Sequence, residues 1–206
     1  MKELLNKALL FQKQTKKYCI SNAAVIAIST ILFFDYGALA GSYKQDSKMP
    51  KCLNNLGEAV VFINGNSDKQ KSAAGMAKRD ESGQPIIYRF NYESAQVEIQ
   101  QFIDFHECAH HQVGDIDRPH PPRNSYDHLM NESIADCIAI LRFRDDEEST
   151  YETYENLIAS LEKDMENIGF PVISISSRIS NISNCYKDYE SAKSFISGVL
   201  EKRSLE

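Results

Sequence analysis

Two histidines stand four residues apart, with a glutamate following the first, in His106-Glu107-Cys108-Ala109-His110. For this pattern to act as a unit the segment must be helical. At i and i+4 both imidazoles leave one helix face about one turn apart, where they can bind the same small tetrahedral cation, and the glutamate lies beside its open position. A strand would carry the rings apart. The flanking residues agree with a helix: Val97, Ile99, Phe102, Ile103, Phe105, Ala109 and Val113 are spaced closer to a helical than to a strand period, and Gly114 suits a helix stop. His106 and His110 are therefore candidate metal ligands, and Glu107 is a candidate general base.

Two imidazoles do not hold zinc durably; a third protein ligand must come from elsewhere, with the fourth position left to water. A second helix is expected from about Leu129 to Phe143, with apolar positions at Ile134, Ala135, Ile138, Ile140 and Leu141. It carries Asn131-Glu132-Ser133-Ile134-Ala135-Asp136. H-E-x-x-H followed, after a loop of roughly twenty residues, by N-E-x-x-A-D on a second helix is similar to the thermolysin-like gluzincins, which are zinc metallopeptidases. The resemblance implies Glu132 as the third zinc ligand and Asp136, one turn later, as the carboxylate that orients a ligand histidine, with His106 the ring to pair with it. Without a cation, two carboxylates at this spacing are an ordinary solvated helix face and repel by a few tenths of a kcal/mol. A bound dication turns that repulsion into attraction.

The implied chemistry is metal-assisted hydrolysis of peptide bonds. Zinc lowers the pKa of a bound water toward about 7, Glu107 takes its proton as it attacks the carbonyl, and the same glutamate then protonates the leaving amine. The resemblance also implies an edge strand that receives an extended peptide or protein substrate, and Ser72 to Lys78 or Pro85 to Phe90 could serve. The donor that stabilises the tetrahedral intermediate is not assigned. His111, His120, Tyr126 and His128 are the candidates near the ligands in sequence. Phe170-Pro171 through Ser177-Arg178-Ile179 looks like the His-Pro and Arg-Ile element of integral-membrane and related gluzincins, with Phe170 where the histidine would be. Arg178 is expected to anchor the last helix through Asp136 or a backbone carbonyl.

The N-terminus reads as a signal peptide over residues 1–40. Lys2, Lys7, Lys13, Lys16 and Lys17 precede an uncharged, mostly apolar run from Tyr18 to Phe34, and Ala38-Leu39-Ala40 supplies a small-x-small cleavage pattern. The alternative is an uncleaved membrane anchor, since the run approaches the lower limit of roughly 17 residues for a spanning helix. Cys19 follows Lys17 and Tyr18, which is not a lipidation context. Export to the periplasm or the medium is the expectation, with inner-membrane anchoring as the alternative. Residues 1–40 hold five of the 23 basic and two of the 29 acidic residues, so 41–206 carries 18 against 27, a formal charge of −9. That balance disfavours a nucleic-acid partner.

Residues 41–206 suit one domain with its own core. The expected class is α+β: a small zincin-like domain in which a short antiparallel sheet precedes the helices of the zinc site. Ala59 to Ile63, closed by Asn64-Gly65-Asn66, reads as a strand and turn. Ser72 to Lys78 and Pro85 to Phe90 read as a hairpin around Arg79 to Gln84. Pro119, Pro121 and Pro122 make 115–127 a loop. A third helix covers Thr150 to Asn167, ended by Gly169 and Pro171, and the Ser- and Asn-containing stretch from Ser174 into Lys187 leads to a last amphipathic helix.

Four cysteines lie beyond residue 40, compatible with two disulfides in an exported chain. Cys108 lies within the ligand pattern and Cys137 follows Asp136, so a Cys108–Cys137 bridge is expected to clamp the two metal helices, leaving Cys52 to pair with Cys185. Thiolate ligation by Cys108 is disfavoured, because two residues from His106 on a helix it points well away from the ligand face. The rival functional reading is a non-catalytic exported module with a structural metal or a binding role. Retention of Glu107 argues against it.

Overall fold

A computed structural model of the chain describes residues 49–65, 75–90, 95–123, 125–145, 149–167 and 169–203. The expected signal peptide and its cleavage site lie outside the described residues, as do residues 72–74 of the second expected strand.

The described residues form three strands, β1 (Val61–Gly65), β2 (Gly75–Arg79) and β3 (Pro85–Phe90), followed by helices α1 (Val97–Gln112), α2 (Tyr126–Asp145), α3 (Tyr151–Asn167), α4 (Val172–Asp188) and α5 (Ala192–Arg203). The class is α+β, as expected. β2 and β3 form the expected hairpin, antiparallel with Gly75 opposite Arg89 and Arg79 opposite Pro85. Its turn is built locally. The Asp80 carboxylate accepts the backbone N–H groups of Ser82 (2.8 Å) and Gln84 (3.0 Å), while Gly83 takes φ 87°, a conformation glycine adopts without steric cost.

The sheet is not wholly antiparallel. Its order is β1-β3-β2, and β1 runs parallel to β3 with Val61 opposite Ile86. β3 takes the centre because it is the strand that can be buried on both faces: Ile86, Ile87 and Phe90 are all inside, whereas β1 and β2 are half-exposed.

α1 is the central helix, buried on nearly every side. Cys108 meets Cys52, Val60 and Ile87 on the sheet side. Ile99, Phe102 and Ile103 join Ile140 and Phe143 of α2, Leu157 and Leu161 of α3, and Ile175 and Ile182 of α4 in the main core. A smaller patch, in which Ala109, Val113, Ala135 and Ile138 meet Val199, seats α5. Hydroxyls cap several helices: Ser125 Oγ accepts the N–H of His128, Thr150 and Thr153 satisfy each other's backbone N–H, and Ser191 Oγ accepts that of Ser194.

Two further sequence expectations are corrected. The stretch from Ser174 to Lys187 is itself helix α4, not a lead-in to the last helix. Ile175, Ile179, Ile182 and Tyr186 recur at helical spacing and pack on the core, so burial overrides the indifferent helix propensity of its serines and asparagines. The disulfides are Cys52–Cys108 and Cys137–Cys185, with Cα separations of 5.9 and 5.3 Å, not Cys108–Cys137 and Cys52–Cys185. α1 turns its histidine face toward α2. Cys108, nearly half a turn around the helix from His106, therefore faces the sheet while Cys137 faces α4. Among the described residues no helix is long and apolar enough to cross a membrane. The two disulfides fit an extracellular location.

Candidate metal centre

α1 delivers His106 and His110 from one face, and α2 lays Glu132 across them. His106 Nε2 and His110 Nε2 are 3.3 Å apart; Glu132 Oε2 is 3.4 Å from the former and Oε1 is 3.6 Å from the latter. Ligands about 2.0–2.1 Å from a tetrahedral ion are separated by about 3.3 Å, so the two imidazoles already stand at the spacing that one such ion requires, with one Glu132 oxygen near each. The three could hold a metal ion together.

The outer ring nitrogens support the same reading. His106 Nδ1 donates to Asp136 Oδ1 at 2.9 Å, the pairing that the resemblance implied. His110 Nδ1 donates to Asp115 Oδ2 at 3.0 Å. With Nδ1 committed to a carboxylate, Nε2 is the nitrogen each ring turns inward, the one that a metal would take in place of a proton. Arg178 on α4 grips Asp136 with two hydrogen bonds, Nε to Oδ2 at 2.7 Å and Nη2 to Oδ1 at 2.8 Å. This is the anchoring role foreseen for it, on a helix that is not the last. Phe170 packs against the main core.

The electrostatics are those of a cation site. Burial alone would lower the His106 pKa, but its hydrogen bonds to Asp136 and Glu132 and their charges more than offset that and push it up to about 10. His110 is raised in the same sense, against the cost of burial, chiefly by Asp115 and Glu132. Burial would raise Glu132, yet the two histidines and Arg178 hold it down at about 2. The pocket thus stabilises positive charge between the three groups.

Glu107 is buried, and burial pushes its pKa up, aided by the Glu132 charge and opposed by the two histidines. Its Oε2 accepts the backbone N–H of Ala77 on β2 at 2.8 Å. The approach depends on Gly75: a Cβ there would stand 2.6 Å from Glu107 Cγ and 2.9 Å from Oε1. Of the two strands considered for an edge, β3 is central and is ruled out, whereas β2 is flanked only by β3 among the described residues.

The candidate oxyanion donors separate. His111 is buried and hydrogen-bonds Ile86 O through Nε2 at 3.0 Å, so it ties α1 to the sheet. His120 and Tyr126 are exposed. His128, one turn before Glu132 on α2, has a buried Nε2 with no hydrogen-bond partner.

No known protein family, curated protein or solved structure matches this chain.

Three participants escaped the sequence reading. Gly75 could have been noticed, because glycine inside a strand marks close approach by another group. Asp115 follows Gly114, whose φ of 72° reverses the chain at the end of α1 and brings the carboxylate back to His110. Arg203, whose Nη1 meets Asp115 Oδ1 at 2.5 Å, lies 88 residues away and has no local signal.

Proposed function

We propose that this chain is a small exported zinc metallopeptidase of the gluzincin kind, with His106, His110 and Glu132 as zinc ligands and Glu107 as general base. The observation that carries this reading is the convergence of His106, His110 and Glu132, with ligand atoms within 4.8 Å of one another and the buried carboxylate of Glu107 in the same helix motif. Three protein ligands leave a coordination position free, as hydrolytic zinc sites do and closed structural sites do not. Two imidazoles and a carboxylate also suit non-haem iron; the H-E-x-x-H helix with Glu107 beside the open position favours zinc.

Bound zinc supplies Lewis acidity, which acidifies water and polarises a carbonyl. The chain's own residues do the rest. Asp136 and Asp115 fix the ring tautomers, and Glu107, whose pKa is raised by burial, is suited to take a proton from the attacking water and return it to the leaving nitrogen. β2 offers an edge for an extended peptide, with Ala77 next to Glu107. His128, one helical turn before Glu132, is the candidate donor for the developing oxyanion, since its buried Nε2 has no hydrogen-bond partner.

Zinc content by elemental mass spectrometry tests the ligands. Wild type and Glu107→Gln should each carry about one zinc and His110→Ala little. A peptide library should then be cut by wild type and not by Glu107→Gln; zinc binding without hydrolysis would favour the non-catalytic reading. His128→Gln should lower kcat by about 10²–10³ while zinc content and KM hold. An unchanged kcat removes His128 from the mechanism.

A further inference from the structure

The two imidazoles are supported from opposite sides. His106 leans on Asp136 and Arg178 of α4; His110 leans on Asp115, which in turn meets Arg203 near the end of α5. The Arg203 guanidinium also donates to Val113 O at 3.0 Å and Asn131 Oδ1 at 2.8 Å, and Arg118 Nη2 holds Arg203 O at 2.9 Å. One side chain therefore joins the end of α1, the 3-10 turn Asp115–Asp117 and the ligand-bearing stretch of α2. We propose that Arg203 is a positioning residue for the metal: it fixes Asp115 so that His110 presents Nε2 at the angle the cation needs. The inference rests on the metal reading above.

The physical case is one of charge and rigidity. Asp115 is buried and sits on a three-residue turn with little stiffness of its own. When His110 coordinates a metal its ring is formally neutral, and a buried carboxylate beside it needs a cation of its own. Arg203 supplies that charge and engages Oδ1, which leaves Oδ2 for His110. α5 is otherwise held by a small apolar patch, by Phe195 against the main core and by the Ala192 N–H on Asp145. On this account the C-terminal helix is part of the metal site.

The full chain and its Arg203→Met, Arg203→Lys, Asp115→Asn and Arg203→Met/Asp115→Asn variants are titrated with zinc against a chromophoric chelator. Cobalt(II) absorption spectra and urea unfolding of the metal-free proteins accompany the titrations. Arg203→Met and Asp115→Asn should each weaken zinc binding about 10–100-fold and alter the cobalt spectrum. The double variant should be little weaker than the worse single one, because both act through one relay. Arg203→Lys should fall between wild type and Arg203→Met. Wild-type zinc affinity and cobalt spectrum in Asp115→Asn overturn the proposal even if Arg203→Met does not fold. So does an Arg203→Met effect confined to urea stability. In both cases a zinc-binding wild type leaves the ligand assignment standing; failure of the wild type to bind zinc overturns both.

Discussion

At the scale of single residues, Gly75 and the His106–Glu132 pair show how narrowly the site is fitted. A methyl at position 75 would overlap the Glu107 side chain. Gly75→Ala should therefore displace the base and lower kcat/KM by roughly 10–100-fold, with zinc content unchanged. Full activity in this variant would show that Glu107 is not held by β2. The pKa directions set the pH behaviour of the metal-free protein. His106 is raised to about 10 in the fold, so its contribution is fully present below about 6.5 and is lost as pH rises toward 10. Glu132 is depressed to about 2, so its contribution is present above about 4.5 and is lost as pH falls toward 2. Urea midpoints measured with a chelator present should thus be highest between about pH 4.5 and 6.5. A midpoint that does not decline between pH 7 and 10 contradicts the charged-histidine account.

At the scale of elements, the two metal helices are held by different means from those their cysteines suggested. Cys52–Cys108 ties α1 to the segment before β1, and Cys137–Cys185 ties α2 to α4. Arg178 lies two helical turns before Cys185, so the second bridge and the Arg178–Asp136 contact join the same pair of helices. Replacing Cys137 and Cys185 together by serine should cost about 2–4 kcal/mol in urea unfolding. An unchanged midpoint means that core packing alone fixes α4. The helix missed in the sequence is instructive here. Its apolar stripe was readable, but serine and asparagine obscured it, and burial of Ile175 and Ile182 in the main core favours the helix.

At the scale of the whole molecule, elements of the sheet and of the helical part converge on the candidate metal site. β2 holds Glu107, α4 and α5 hold the outer carboxylates, and α3 completes the core against which α1 lies. A metal bound at that convergence stabilises the fold by mass action, by about 2.7 kcal/mol at a free concentration one hundred times its Kd. Chelation should lower the midpoint of thermal unfolding of wild type and leave His110→Ala where it was. Equal shifts in both would place the stabilising ion elsewhere.

The sequence alone determined the helices that carry the ligands, because i, i+4 spacing and apolar periodicity are local properties of the chain. It also determined the hairpin, through the glycine and polar residues of Arg79 to Gln84, whereas the His106–Asp136 pairing was implied only by the resemblance to the gluzincins. Tertiary structure decided the rest: the parallel placement of β1, the cysteine partners, and the meeting of Asp115 with Arg203. Those depend on which faces of the helices turn toward one another, and that orientation is chosen by burial of the whole core rather than by any short stretch of sequence.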